Sequence, residues 1–207
     1  MKKFTDLRAW LDHLAKSGRL VATKKNVNLT HELAAIAKKL DGKSGVLFPN
    51  PGGHDIPVVS GFMSSRGWIA EAMGVPESEL LDAYKQSAEN PLRCNIVKKA
   101  PCQEVMHKEF DVRELLPVPT HSEHDSGPYI TAGLVIAKNP KTGVQNVSIN
   151  RIQVNSKNRM AVLILPRHLH AFQQAAEEMN QPLPVAVVIG IDPLTLLASQ
   201  AIAPIDY

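Results

Sequence analysis

Cysteine, aromatic residues and long apolar runs are all scarce in this chain, and each scarcity removes a class of protein. The two cysteines, Cys94 and Cys102, are separated by seven residues. That spacing suits neither a zinc knuckle nor a Cys-x-x-Cys redox pair, and two cysteines do not make a disulfide framework. Both are expected to be free thiols. Aromatics make up 5% of the chain, and no block of Lys or Arg accompanies them, so nothing points to nucleic acid. No apolar run approaches the roughly 20 residues of a membrane span. Met1-Lys2-Lys3 is charged but leads into an amphipathic helix and not a small-residue cleavage site, which makes the cytoplasm the expected compartment. Internal repeats and low-complexity segments are also missing.

What is present describes a globular protein. Hydrophobic residues are 44% and charged residues 21% of the chain, and the formal charge is only +3. At 207 residues there is material for one large domain or two small ones with a real core.

Leu7, Trp10, Leu11 and Leu14 fall at helical spacing, and Lys16-Ser17-Gly18 closes the helix they predict. Arg19 to Val27 reads as a strand. Thr30 is the expected cap of a second helix carrying Leu33, Ile36, Ala37 and Leu40. Gly45 to Phe48 and Ile56 to Gly61 read as strands around the turn Asn50-Pro51-Gly52-Gly53. Two helices follow between Ser65 and Ser87, the second starting at Pro76. Ala88 to Pro119 is richer in Pro and charge, and the domain junction is placed inside it, giving domains 1–105 and 106–207. Beyond it the pattern turns mainly β: Gly127 to Ala137, a hairpin loop from Lys138 to Gly143, a helix from His168 to Met179, and Val185 to Ile191 as a strand buried on both faces. His121-Ser122-Glu123-His124-Asp125 holds metal-ligating residue types, but its spacing fits a polar loop.

The chemistry-bearing stretch is Val144 to Leu169. Around Val147, Ile149, Ile152 and Val154 the chain is apolar and β-branched, Asn155 to Asn158 break it, and Met160 to Leu165 resume, so a β-hairpin is expected. If its loop is Ser156 to Asn158, Arg151 faces Leu163 and Asn146 faces His168, with opposed Cβ atoms about 4.5–5.5 Å apart. Pro166 can end the pairing first, and a two-residue loop would shift the register by one. An amide oxygen and an imidazole nitrogen suit a divalent ion such as Mn²⁺ or Mg²⁺, with a carboxylate completing the set. Arg151 adds a planar, permanently charged fork for a carboxylate or phosphate. Alternation sets Asn146 and Arg151 on opposite faces, so a shared site needs a bulge or twist. Read locally, the same residues also make an ordinary hairpin with a surface Asn, an exposed Arg and a His at a helix start.

Asn146-Val147-Ser148-Ile149-Asn150-Arg151, followed by Pro166-Arg167-His168, resembles the UbiD family of prenylated-flavin-dependent decarboxylases. So do Thr5 to Leu11, Gly127-Pro128-Tyr129-Ile130-Thr131, and Pro184-Val185-Ala186 through Gly190-Ile191-Asp192-Pro193, so the resemblance runs through the whole chain in order. It implies an α+β fold, an N-terminal α/β lobe followed by part of a split β-barrel that binds prenylated FMN. It implies Asn146 and His168 as ligands of a divalent metal, usually Mn²⁺, and Arg151 as the catalytic residue that holds the substrate carboxylate. Ile149, Asn150, Ile164, Leu165 and Arg167 match positions around the flavin or its phosphate, and Ala198 and Ser199 match part of a monovalent cation site, for K⁺. The implied reaction is reversible loss of CO₂ from an aromatic or α,β-unsaturated acid. A flavin prenyltransferase would supply the cofactor, and full-length relatives would be homo-oligomers.

The family's metal-binding Glu and the acids partnering the Arg match no position up to Tyr207, so this chain alone is expected to be inactive. The alternative is a non-catalytic flavin-binding or interaction fragment. An ordinary flavin reductase would use a nicotinamide, and no Gly-x-Gly-x-x-Gly fingerprint is present.

Overall fold

The computed structural model describes Phe4 and residues 6–92 and 94–202. Asp6 opens helix α1 (Leu7–Lys16) by accepting a hydrogen bond from the Ala9 N–H at 2.9 Å, as short polar side chains do at helix starts. The expected stripe is buried: Trp10 and Leu14 are fully enclosed, and Trp10 Nε1 donates to the Phe62 carbonyl at 2.8 Å. That bond satisfies the one polar atom the indole carries into the core.

Strand β1 (Leu20–Ala22) is followed by α2 (Glu32–Leu40), and β2 (Gly45–Phe48) returns parallel to β1. β3 (Val58–Ser60) pairs antiparallel with β2, giving the order β1-β2-β3. Ser65 caps α3 (Arg66–Met73) through its hydroxyl, and α4 (Leu80–Glu89) completes the lobe.

Three local expectations need correction. The strand expected from Arg19 to Val27 stops at Ala22, and Asn26 adopts a positive φ of 60° that no extended strand accommodates. Thr30 does not cap α2. His31 holds that position at φ 66° without a side-chain cap bond, while Thr30 bridges to Thr120. Pro76 precedes a 3-10 turn (Glu77–Glu79), so α4 starts only at Leu80.

After the irregular segment that follows α4, the short helix α5 (Val112–Leu115) leads to β4 (Tyr129–Lys138), β5 (Gln145–Ser156) and β6 (Arg159–Val162). Helix α6 (His168–Glu178) then precedes β7 (Val185–Val188). The sheet order is β6-β5-β4-β7, every neighbour antiparallel, curled into a half-barrel. One face packs Val135, Ala137, Ile152 and Val154 against Leu169 and Phe172 of α6. β7 was expected to be buried on both faces. Among the described residues it is an edge strand paired with β4 alone, and Val185 and Ala186 are exposed. Asp192 caps α7 (Pro193–Ala198), whose Leu194 packs back on the Trp10 core and joins the two halves. Cys94 and Cys102 are free and exposed, and among the described residues no helix is long and apolar enough to cross a membrane.

A charged knot fastens α1 to α3. Glu71 accepts from Arg19 Nη1 at 2.6 Å and pairs with His13 Nε2 at 2.6 Å, and the Arg19 guanidinium lies 5.4 Å from the Trp68 ring centre. The Arg19 hydrogen bond is the main reason the Glu71 carboxyl is held down from 4.5 to about 2. A carboxyl whose pKa falls on folding adds stability that is complete above its unfolded value and disappears as pH falls through the folded one. The thermal midpoint should therefore drop between pH 4.5 and about 2, and Glu71→Gln should flatten that drop. Parallel pH profiles for the two proteins would show that the knot does not act on stability.

Candidate functional site

Strand β5 carries Asn146, Ile149, Asn150 and Arg151, and its two ladders decide where each side chain stands. Against β4, Asn146 opposes Ala137, Ser148 opposes Val135 and Asn150 opposes Gly133. Directly opposed residues share a face, and Val135 and Ala137 belong to the core beneath α6. Asn146, Ser148 and Asn150 therefore stand on the α6 side, the side on which His168 opens that helix. Ile149 and Arg151 stand on the other side, and both are exposed.

Against β6, Ile152 opposes Val162, Gln153 opposes Ala161 and Val154 opposes Met160, while Ser156 opposes Arg159 around the turn. The tight turn is Lys157-Asn158, and an irregularity between Val154 and Ser156 takes up the extra residue. The expected register consequently survives, and the Leu163 N–H donates to the Arg151 carbonyl at 3.1 Å. It does not reach His168. β6 ends at Val162, and Pro166 and the start of α6 take the chain away. Asn146 and His168 share a side of the sheet because α6 packs there, not because they are cross-strand partners.

A bulge does lie beside Arg151, but on the partner strand. The register between β4 and β5 shifts between Ile130 and Gly133, so Thr131 and Ala132 together face Arg151, a distortion that raises local twist. Thr131 and Ala132 also line a mainly apolar cavity of about 340 Å³ between α2, β3 and the start of β4, with His121 and Tyr129 on its wall.

Leu163 to Arg167 run as a strap from the end of β6 to α6. Ile164 packs against the core, Leu165 and Arg167 are exposed, and His168 is half-buried. An amide oxygen and an imidazole nitrogen fit a hard or borderline divalent ion. Among the described residues no group of three or more His, Cys, Asp or Glu could hold a metal. The His121 to Asp125 run is a turn in which the Asp125 carboxylate accepts from the His121 and Ser122 N–H groups at 3.2 and 2.9 Å. Ala198 ends α7, with Ser199 its C-cap, and the Ser199 hydroxyl donates to the Leu196 carbonyl.

Ser148 was not among the expected site residues. Its hydroxyl donates to Asn150 Oδ1 at 2.8 Å, and Asn150 Nδ2 donates to the Leu163 carbonyl at 3.1 Å. The only trace of this in the sequence is two polar residues on the strand face that carries Ile152 and Val154.

Residues 11–87 match the N-terminal domain of 3-octaprenyl-4-hydroxybenzoate carboxy-lyase, and residues 95–207 match the Rift-related domain of the same enzyme, the two domain models of UbiD. The chain belongs to the UbiD family. Among curated relatives, the anhydromevalonate phosphate decarboxylase of Methanothermobacter thermautotrophicus is 36% identical over 200 residues, 97% of this UbiD chain and 46% of that protein. The UbiD-class enzyme HmfF of Pelotomaculum thermopropionicum, solved with FMN, superposes with a TM-score of 0.94 at 41% identity, over 98% of this chain and 46% of HmfF. An evolved dimeric form of HmfF, solved with prFMN, gives 0.93 at 42% identity, over 96% and 47%. The UbiD chain described here thus spans about half the length of the relatives it matches.

Phe172 is fully buried where α6 meets β4 and β5, so the position of His168 depends on it. Phe172→Ala should destabilise the protein by about 3–5 kcal/mol, measured by denaturant unfolding. A loss below about 1 kcal/mol would show that α6 is not held by this contact.

Proposed function

We propose that this chain supplies part of the active site of a decarboxylase that removes CO₂ reversibly from an aromatic or α,β-unsaturated carboxylic acid with the help of prenylated FMN. The observation that carries the reading is Arg151, exposed at the end of the β5–β6 ladder and opposite a bulge in β4, within a chain of UbiD sequence. Its guanidinium would take the substrate carboxylate through two parallel hydrogen bonds and hold it in one plane. Because Arg does not release a proton in proteins, the group that protonates the product carbon must be another acid. In the family reading that acid, like the metal-binding Glu, belongs to the half of the relatives this chain does not span.

Asn146 and His168 would hold a divalent metal, Mn²⁺ first, on the α6 side of the sheet. Ile149, Asn150, Ile164, Leu165 and Arg167 would surround the flavin and its phosphate, and Ala198 and Ser199 would contribute to a K⁺ site. A cofactor touching both Arg151 and the Asn146–His168 pair has to pass around the edge at which β6 ends. Prenylated FMN, when bound, supplies the electron sink for the leaving carboxylate. The two HmfF structures, with FMN and with prFMN, support the cofactor class. The apolar cavity behind Thr131 and Ala132 gives room beside the bulge for an uncharged ring or chain. A flavin prenyltransferase as supplier, a homo-oligomeric assembly, and a boundary between domains 1–105 and 106–207 belong to the same proposal. The dimeric HmfF form supports an oligomeric assembly, and the two separate family matches, 11–87 and 95–207, support a division into two domains though not its placement at 105/106.

The test joins spectroscopy to turnover. Co-expression with a flavin prenyltransferase, followed by intact-mass and absorption measurements, should reveal bound prenylated FMN. In a chain extended by the acids of the relatives, Arg151→Ala should abolish CO₂ release and leave the thermal midpoint nearly unchanged, since an exposed side chain adds little packing. The 207-residue chain should release no CO₂ from cinnamic-type or aromatic acids. Turnover retained in Arg151→Ala would remove it from the mechanism, and sustained release by the short chain would mean that it contains its own acid.

A further inference from the structure

The β5–β6 ladder ends in an unusual way. In an unbroken antiparallel pair, Arg151 and Leu163 would exchange two backbone hydrogen bonds. The Leu163 N–H does donate to the Arg151 carbonyl, but the Leu163 carbonyl accepts from a side chain, Asn150 Nδ2, at 3.1 Å. The amide that reaches it is held from behind, because Asn150 Oδ1 accepts the Ser148 hydroxyl at 2.8 Å. Ser148 and Asn150 stand two residues apart on one strand face, so a single rotamer of each makes both bonds. The Leu163 carbonyl, which can only accept, fixes which end of the amide is which: the nitrogen must face it, and the hydroxyl then donates to the oxygen.

Leu163 begins the strap. From it the chain has only Ile164, Leu165, Pro166 and Arg167 before His168 starts α6, with Ile164 packed on the core and the Arg167 N–H donating to the Leu165 carbonyl at 2.7 Å. Where Leu163 is pinned therefore governs where the strap residues lie. We propose that Ser148 is a positioning residue: through Asn150 it clamps the Leu163 carbonyl to β5, and so sets the strap that carries Ile164, Leu165, Arg167 and His168 alongside Arg151. Both ends of the Asn150 amide are committed to this brace. Asn150 thus serves a cofactor through the strap it holds. The part of this inference that concerns the cofactor rests on the function proposed above; the brace itself does not.

Ser148→Ala and Ser148→Thr separate these claims. Removing the hydroxyl leaves the Asn150 oxygen without its donor and frees the amide to turn, while Thr keeps a hydroxyl at the same position. Backbone hydrogen exchange in the purified protein, without any ligand, should quicken from Leu163 to His168 in Ser148→Ala by a factor on the order of five, what one net hydrogen bond is worth. The N-terminal lobe should be unaffected, and Ser148→Thr should restore the wild-type rates. FMN affinity, followed by quenching of flavin fluorescence, should fall by a comparable factor in Ser148→Ala and recover in Ser148→Thr. Unchanged exchange in Ser148→Ala, or a Thr variant as loose as the Ala variant, overturns the brace. Exchange that responds while FMN affinity does not overturns its link to the cofactor. A wild-type protein that takes up no flavin removes the cofactor reading, and the exchange measurement still decides the brace.

Discussion

The two-residue alternation of β5 is the constraint on which the C-terminal half depends. The strand is paired along both edges, to β4 and to β6, and its even-numbered positions face α6 from Asn146 to Val154. Ile152 and Val154 are the core-filling members of that set. A slip of one residue would turn both outward and bring Arg151 beneath α6, exchanging apolar burial for a buried guanidinium. Packing alone therefore holds the register, and the register in turn assigns each polar residue of the Asn146 to Arg151 stretch to one side of the sheet or the other.

That assignment divides the proposed site. Asn146 shares a side with α6 and His168, whereas Arg151 lies across the sheet, so one flat pocket cannot collect them. The structure answers with two irregularities at the same level of β5, the bulge of β4 facing Arg151 and the loss of β6 just past Leu163. Both weaken the sheet locally, and both are placed where the chain must pass from one side to the other. Function at such a point is consistent with the general tendency of bulges to gather near sites where a side chain is re-aimed.

Much of this was legible in the chain before its fold was known. The β-branched residues from Val147 to Val154 and the break at Asn155 to Asn158 located the hairpin, while the expected register over Ile152 to Val154 holds because an irregularity before Ser156 offsets a turn one residue shorter than the expected loop. What could not be read was where the ladder stops, because Met160 to Leu165 is apolar throughout and nothing local separates a paired residue from one in a strap. β7 failed for the same reason: Val185 to Ile191 has the composition of a buried strand, but position in the sheet, an edge, is a property of topology. Thr30 looked like a helix cap until a distant residue, Thr120, claimed it. The family likeness implied roles for Asn146, Arg151 and His168 that spacing by itself left open, and it gave no hint of Ser148, whose hydroxyl donates to the Asn150 side chain and only through it bears on the Leu163 carbonyl.

Trp10 and Trp68 are the two tryptophans of the chain, and both sit in the same N-terminal cluster, one enclosed and the other packed against it. Intrinsic indole emission therefore reports on that lobe alone and is blind to the half-barrel. An unfolding curve followed by tryptophan would describe α1 and α3, while loosening of β5, β6 or the strap would pass unseen unless α7, through Leu194, carried the disturbance across. The chromophores and the candidate site thus occupy separate optical territories, and a flavin bound at the strap would bring the C-terminal half a signal of its own.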